Sequence, residues 1–278
     1  VKKKKKLNKT VAPKDPFPIR VRQFFIGALK ITVFTGGIIF SIWFGYRLHY
    51  FLFQSPFFRL KNVEIPGVPN SLKNEMILYA GLNDLSKVNH NLLKFRVGRL
   101  KKKLLQMPKL RSVDVKKDYP STLRILAHPR KAVVLVAGKG LFLADAEGVI
   151  MEKVKPVDLK DFYLPVITGL NEQKVNPGSV IKHETFFKAL DIQATLSRHC
   201  EKLYEQLSEL NVSGRGNITA VLEGGTEIRF GRRDFLKRLP DLDAFLDKYS
   251  SSFRNVDQFK YVDLRFHKQI VYALRENR

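Results

Sequence analysis

Cys200 directly follows His199, and a thiol beside an imidazole is the pairing from which a cysteine nucleophile is built. The pair must be assembled in space, so adjacency along the chain does not establish it. The spacing of Phe186, Leu190, Leu196, Cys200 and Leu203 instead places the thiol near one apolar helix face, as a core side chain. Asp145 and Glu147 flank a turn and offer two carboxylates for acid–base work; the plainer reading is that they solvate the turn. The histidines, at 49, 90, 128, 183, 199 and 267, show no HExxH or paired-ligand spacing. A lone cysteine provides neither a disulfide framework nor a Cys-based metal site. "GRG" (214–216) and "EGG" (223–225) read as hairpin glycines, without the Lys-Ser/Thr and helix of a phosphate loop. No nucleophile motif stands out, so the sequence predicts no enzyme, with no catalytic, metal or cofactor-binding residues.

The strongest physical signal is "FFIGALKITVFTGGIIFSIWFGY", residues 24–46, which carries one charge, Lys30. As a helix it would extend about 34 Å, enough for a hydrocarbon core of about 30 Å. Lys30 lies close enough to one end for its ammonium to snorkel to the headgroups, and Trp43 and Tyr46 sit where an interfacial aromatic belt belongs. The run is longer than a signal-peptide core and no small-x-small site follows it, so it reads as an uncleaved anchor. Seven Lys/Arg precede it within 20 residues and three follow within 20, which puts the N-terminal arm in the cytoplasm and residues 47–278 outside. The formal charge of +24 invites a nucleic-acid reading. Topology and anionic lipid already account for "VKKKKKLNKT", and the outer part lacks a nucleic-acid motif.

Beyond the span, "FFRLKNVEIPG" reads as a strand and turn. "SLKNEMILYAGL" reads as a helix with Ser71 as N-cap and Gly81 as C-cap, and "NLLKFRVGRLKKKLLQM" as a second helix closed by Pro108. "LRSVDVKKD" and "LRILAH" are two further strands, giving β-α-α-β-β: a small α+β layer domain. Residues 129–278 are richer in strands ("AVVLV", "LFLAD", "LPVITGL", and a meander through 206–231), with one helix over 183–203 and another over 233–251 that Pro240 should kink or split. The chain reaches its end in a hairpin, "YVDLRF" and "QIVYAL" joined by "HK".

In this order the pieces resemble the bacterial cell-division family FtsQ/DivIB: a basic tail, one span, a POTRA domain and a β domain. The resemblance is carried by "FRLKNVEIPG", by "MPKLRSVDVKKDYPSTLRILAHPRKAVVLV" with its P-x-T-L-x-I, by "LADAEGVI" as a D-x-x-G turn, by "LPVITGL" as L-P-x-x-x-G, and by "YVDLRF" as D-L-R-Y. It departs at Lys109, where an aromatic commonly follows the proline, at His128, near which an acidic residue is often found, and at Phe266, which stands in the tyrosine's place. The domains expected from it are 1–23 (basic cytoplasmic tail), 24–46 (transmembrane helix), 47–56 (juxtamembrane segment), 57–128 (POTRA) and 129–278 (β domain). The fold class expected is α+β, with a mixed β-rich second domain that ends in an edge hairpin.

The resemblance implies a non-enzymatic divisome scaffold in the inner (plasma) membrane that gathers at the midcell septum. Its implied partners are FtsB and FtsL (or DivIC and FtsL) and, through them, the septal peptidoglycan synthase FtsW–FtsI, with no cofactor, nucleic acid or small-molecule substrate. It also implies strand addition beside the terminal strand, and an edge strand's unpaired backbone groups are a template for such pairing. The residues expected at the contact are Arg265, Phe266, Gln269, Ile270, Val271, Tyr272, Ala273 and Leu274. Arg265 would donate to an acidic partner residue or stand as a solvated edge residue; Phe266 would anchor the partner or belong to the core. The rival readings are a POTRA-bearing secretion or assembly factor and a membrane-anchored envelope enzyme.

Overall fold

The apolar run folds into one long helix, α1 (Ile19–Phe53), in the computed structural model, which describes residues 19–84, 90–170, 175–212, 216–232, 235–250 and 256–276. The basic segment "VKKKKKLNKT" lies outside them. At 35 residues α1 overruns the 24–46 expected for the span at both ends. Arg20, Arg22 and Arg47 are good helix formers, and no proline or cap intervenes before Ser55-Pro56. None of its most apolar stretch is buried against the rest of the chain. The chain forms two compact units: the first comprises, among described residues, 19–62, 90–95 and 118–122, and the second the remainder.

In the first unit, the Gln54 and Ser55 amides both donate to the Tyr50 carbonyl and the Ser55 hydroxyl donates to the Phe51 carbonyl at 2.6 Å. Ser55 also caps a short 3-10 turn, Pro56–Phe58. The strand-like continuation bonds to both other segments: the Leu60 amide to His90, the Leu92 amide to Phe58, and the Lys61 amide to Ser121. Leu60 and Leu92 are fully buried there.

The second unit opens with the predicted β-α-α-β-β order: β1 (Asn62–Glu64), α2 (Asn70–Ala80), α3 (Val97–Leu104), β2 (Leu110–Asp118) and β3 (Thr122–Pro129), with sheet order β1-β3-β2. Ser71 is not the cap. Helix α2 starts at Asn70, with Pro69 in the cap position two residues before Ser71, while Gly81 ends it with φ +77° as expected. The second helix begins at Val97 rather than Asn91, because the Asn91 side chain accepts the Leu93 amide at 2.8 Å and holds the preceding residues in turns.

The β domain is one mixed sheet of nine strands: β4 (Ala132–Gly138), β5 (Gly140–Asp145), β6 (Ile150–Val154), β7 (Val166–Thr168), β8 (Leu207–Val212), β9 (Ile218–Leu222), β10 (Glu227–Gly231), β11 (Phe259–Asp263) and β12 (Val271–Leu274). Their order is β12-β11-β10-β9-β8-β7-β4-β5-β6. Hairpins join the antiparallel neighbours, but β4–β7, β7–β8 and β10–β11 pair in parallel, and each parallel pair needs a crossover. Strands β5 and β6 lie within the connection from β4 to β7, helices α4 (Glu184–His199) and α5 (Glu201–Glu205) make the crossover from β7 to β8, and α6 (Phe235–Ser250) lies in that from β10 to β11. Phe186, Leu190 and Leu196 of α4 and Leu239 and Leu242 of α6 share one core with Ile167, Leu210, Ile228 and Val262 of the sheet. Pro240 does not split α6: it sits on the exposed side in the second turn, and the helix carries on through the one missing backbone bond. Cys200, in contrast, divides the helix expected over 183–203 into α4 and α5.

Candidate functional site

The sheet ends at β12, whose register against β11 is Val262↔Tyr272 and Asp263↔Val271, with a bulge between Phe259 and Tyr261. Among the described residues nothing pairs with the outer side of β12. The connection is longer than the two-residue "HK" expected, because β11 stops at Asp263 and residues 264–270 make the turn, Lys268 taking φ +57°. That early end takes Phe266 out of the strand: Val262 and Leu264 are buried, but Phe266 is 49% exposed. Phe266 is therefore on the surface, not in the core.

Asp263 ends β11 with its carboxylate buried, and Arg265 folds back onto it, Nε donating to Oδ1 at 2.9 Å and the Arg265 amide to the same oxygen at 3.0 Å. Burial alone would push the Asp263 carboxyl up; the Arg265 hydrogen bonds and the charges of Arg265 and Arg229 outweigh it and hold the group below the usual carboxylate range. Arg265, expected as a free donor, is thus committed first to its own chain, although nearly half of its side chain remains exposed. Gln269 is exposed and its carbonyl accepts from Arg238 of α6 at 2.9 Å; Ile270 packs against the core. Val271 and Leu274 are exposed and Ala273 half-buried.

Tyr272 joins an aromatic cluster that the sequence did not reveal, with ring centroids 5.4 Å from Phe245, 5.6 Å from Tyr249 and 5.5 Å from Phe259. The Tyr249 hydroxyl, by hydrogen bond and then by charge, pushes the Tyr272 phenol up. One face of β12 is therefore seated on α6 while its outer backbone stays open. Phe245 and Tyr249 were visible at helical spacing (i, i+4) in "DAFLDKYSS", but nothing local ties them to the last strand.

The residues weighed for catalysis take structural places. Asp145 Oδ1 accepts the amides of Glu147 and Val149, at 3.0 and 2.8 Å, and so shapes the turn it was expected merely to solvate. Its other oxygen takes Arg130, which also holds Glu147; Arg111 donates to Glu147 as well. Arg130 hydrogen bonds to Glu147 before any other favourable influence lower its carboxyl, the reverse of a poised general acid. Gly148 closes this turn at φ +78°, where a Cβ would lie 2.8 Å from the Ile181 carbonyl. Lys109, in the aromatic's place, bridges Glu75 of α2 at 3.0 Å and Glu152 of β6 at 2.8 Å. The Cys200 thiol faces Asp243 at 3.8 Å rather than any imidazole, and burial followed by that carboxylate pushes it up, away from thiolate reactivity. Among the described residues no group of three or more His, Cys, Asp or Glu is placed to hold a metal.

Two family descriptions match the chain. "POTRA domain, FtsQ-type" matches residues 58–126, and "Cell division protein FtsQ/DivIB, C-terminal" matches 132–265, so β12 lies just past the second match. Cell division protein FtsQ of Myxococcus fulvus is 28% identical over 207 residues, 74% of this chain and 70% of the relative. Its counterpart in Geobacter sp. strain M21 is 27% identical over 229 residues, 82% and 80% of the two chains. Cell division protein DivIB of Clostridium acetobutylicum is 26% identical over 98 residues, 35% and 38% of the two.

Proposed function

This chain belongs to the FtsQ/DivIB family of cell-division proteins, and from that premise we propose that it is a non-enzymatic scaffold of the division machinery that captures an FtsB/FtsL pair (or DivIC/FtsL) by strand addition to β12. Through that pair it links early division proteins to FtsW–FtsI. Residues 1–23 lie in the cytoplasm, 24–46 cross the inner membrane, and 47–278 stand outside it, the protein gathering at the midcell septum. The POTRA domain occupies 57–128 and the β domain 129–278.

The observation that carries the reading is the outer side of β12, unpaired among the described residues, on a solvent-facing strand seated on α6 through Tyr272. A partner strand laid along Val271–Leu274 would take its affinity from backbone bonds and its register from alternate side chains. Phe266, exposed at the turn, is the apolar anchor, and Arg265 meets an acidic partner residue with the N–H groups Asp263 leaves free. The test is the chain lacking residues 269–278, carried as a fluorescent fusion. It should remain folded and membrane-bound yet lose capture of the FtsB/FtsL pair. Undiminished capture would remove the edge mechanism, and a full-length fusion that never concentrates at midcell would remove the division role.

A further inference from the structure

The first unit carries an aromatic cluster that the strand-addition reading does not use. Phe51, near the end of α1, stacks on Phe57 at 5.8 Å; Phe57 meets Phe58 edge-on at 5.0 Å; and Phe58 meets Tyr119 edge-on at 6.5 Å. Two separate stretches of sequence, 51–58 and the turn at Tyr119, thus supply one contiguous cluster. It is wet: Phe51 is 47%, Phe57 52% and Tyr119 57% exposed. An exposed aromatic patch of this kind calls for a covering.

Its position identifies the covering. Phe51 is five residues past Tyr46, so it stands about 8 Å beyond the end of the apolar run along the helix axis. The headgroup zone flanking the hydrocarbon is about 5–8 Å deep on each side. The cluster therefore continues the fully exposed apolar surface of α1 outward to the level at which aromatic belts sit. The same segments are basic: they carry Arg47, Arg59, Lys61 and Lys94, with Asp118 the sole acid among the described residues 47–62, 90–95 and 118–122. The helix end is also clasped rather than loose. Asn91 Nδ2 donates to the Leu52 carbonyl at 2.7 Å, and Lys94 Nζ lies 4.8 Å over the Phe53 ring.

We propose that this collar is a lipid-binding foot: Phe51, Phe57, Phe58 and Tyr119 insert at the outer interface of the anchoring bilayer, with the neighbouring lysines and arginines on anionic headgroups. The anchor then becomes more than a tether, because the clasp and the collar together fix segments 90–95 and 118–122 against the membrane surface. The inference rests on α1 being the membrane span, and the test keeps the two apart. Trp43 is the only tryptophan and reports on the span itself. The native chain and a second chain carrying Trp43→Phe with Tyr119→Trp are reconstituted, without partners, into vesicles containing phosphatidylglycerol, with or without bromine near the glycerol end of the chains. Quenching of the tryptophan at 119 to within about twofold of that at Trp43 is the expected result. Quenching of Trp43 with none at position 119 overturns the foot and leaves the anchor; quenching at neither position overturns both. A chain with Trp43→Phe and Phe57→Trp repeats the measurement should the substitution at 119 disturb folding, and the same outcomes apply. A collar reserved for a partner protein would likewise stay unquenched in these partner-free vesicles.

Discussion

Replacing Leu274 by proline separates the open edge from the hairpin that carries it. The Arg275 amide donates to the Gln258 carbonyl at 2.8 Å, and Ala273 and Val271 are the partners of Tyr261 and Asp263. Backbone direction alternates along a strand, so Val271, Ala273 and Arg275 turn their amides inward and Tyr272 and Leu274 turn theirs outward. Proline at 274 deletes one outward donor and sets a ring where an added strand must lie, while every β11–β12 bond survives. A backbone hydrogen bond nets about 0.5–1.5 kcal/mol, and the ring also disturbs the neighbouring bonds. The combined loss is about 1–3 kcal/mol, or capture roughly 5- to 150-fold weaker. The assay is dissociation of an FtsB/FtsL pair from the whole chain held in detergent, paired with thermal unfolding. Leu274→Pro should weaken capture and leave the unfolding midpoint in place, whereas Ala273→Pro, which removes an inward amide, should lower the midpoint as well. Capture unchanged by Leu274→Pro would refute the backbone argument, because no side-chain contact alone would spare it.

Three further outcomes follow from the same geometry. Asp145→Asn strips the buried partner from Arg130, which keeps Glu147, so denaturant unfolding should show a loss of about 2–3 kcal/mol; an unchanged midpoint would mean that the pair contributes nothing net. The folded Asp263 carboxyl lies below its unfolded value of about 3.9, so its contribution is complete above that value and disappears as pH falls through the folded one. The melting temperature should therefore drop in that acid window, and Asp263→Asn should flatten the drop; an identical acid slope in the variant would contradict the assignment. Gly148→Ala forces a Cβ onto a left-handed residue 2.8 Å from the Ile181 carbonyl and should cost at least about 1–2 kcal/mol in the same unfolding measurement.

Local pattern carried much of this architecture. The apolar run announced α1, "SLKNEMILYAGL" and "NLLKFRVGRLKKKLLQM" announced α2 and α3, and Gly81 marked where α2 stops. The D-x-x-G turn was readable because its two defining residues act within four positions of each other, Asp145 accepting local amides and Gly148 supplying the positive φ. Whatever depended on a distant partner was not legible. "IMEKV" shows no alternation, since Ile150 and Met151 are both buried, and it became β6 only by pairing with β5. Arg265 looked free because Asp263, two residues away, looked like the polar face of a strand; burial of that carboxylate is a property of the sheet and of Arg229 across it. The seat of β12 on Phe245 likewise joins residues that the sequence separates by a turn and another strand.

The nine-stranded sheet has two outer strands, and they are treated differently. Ile150 at the start of β6 donates to the Ser179 carbonyl and accepts from the Gly178 amide, while Val149 bridges Val180, so the chain's own segment occupies that side. Farther along β6, Lys109 lies across Glu152 and ties the strand to α2 through Glu75. These are the means by which proteins blunt an edge: a covering segment and a charged side chain held over the strand. β12 has neither among the described residues, and its neighbouring lysine, Lys268, is placed in the turn at positive φ instead of along the strand. An edge left open by neglect would be expected to aggregate, and one face of β12 is too well seated, on Phe245, Tyr249 and Phe259, to count as frayed. A strand that is fixed in place on one face and unpaired along its outer side is preorganised for pairing. That combination, more than exposure alone, distinguishes a binding edge from a defect.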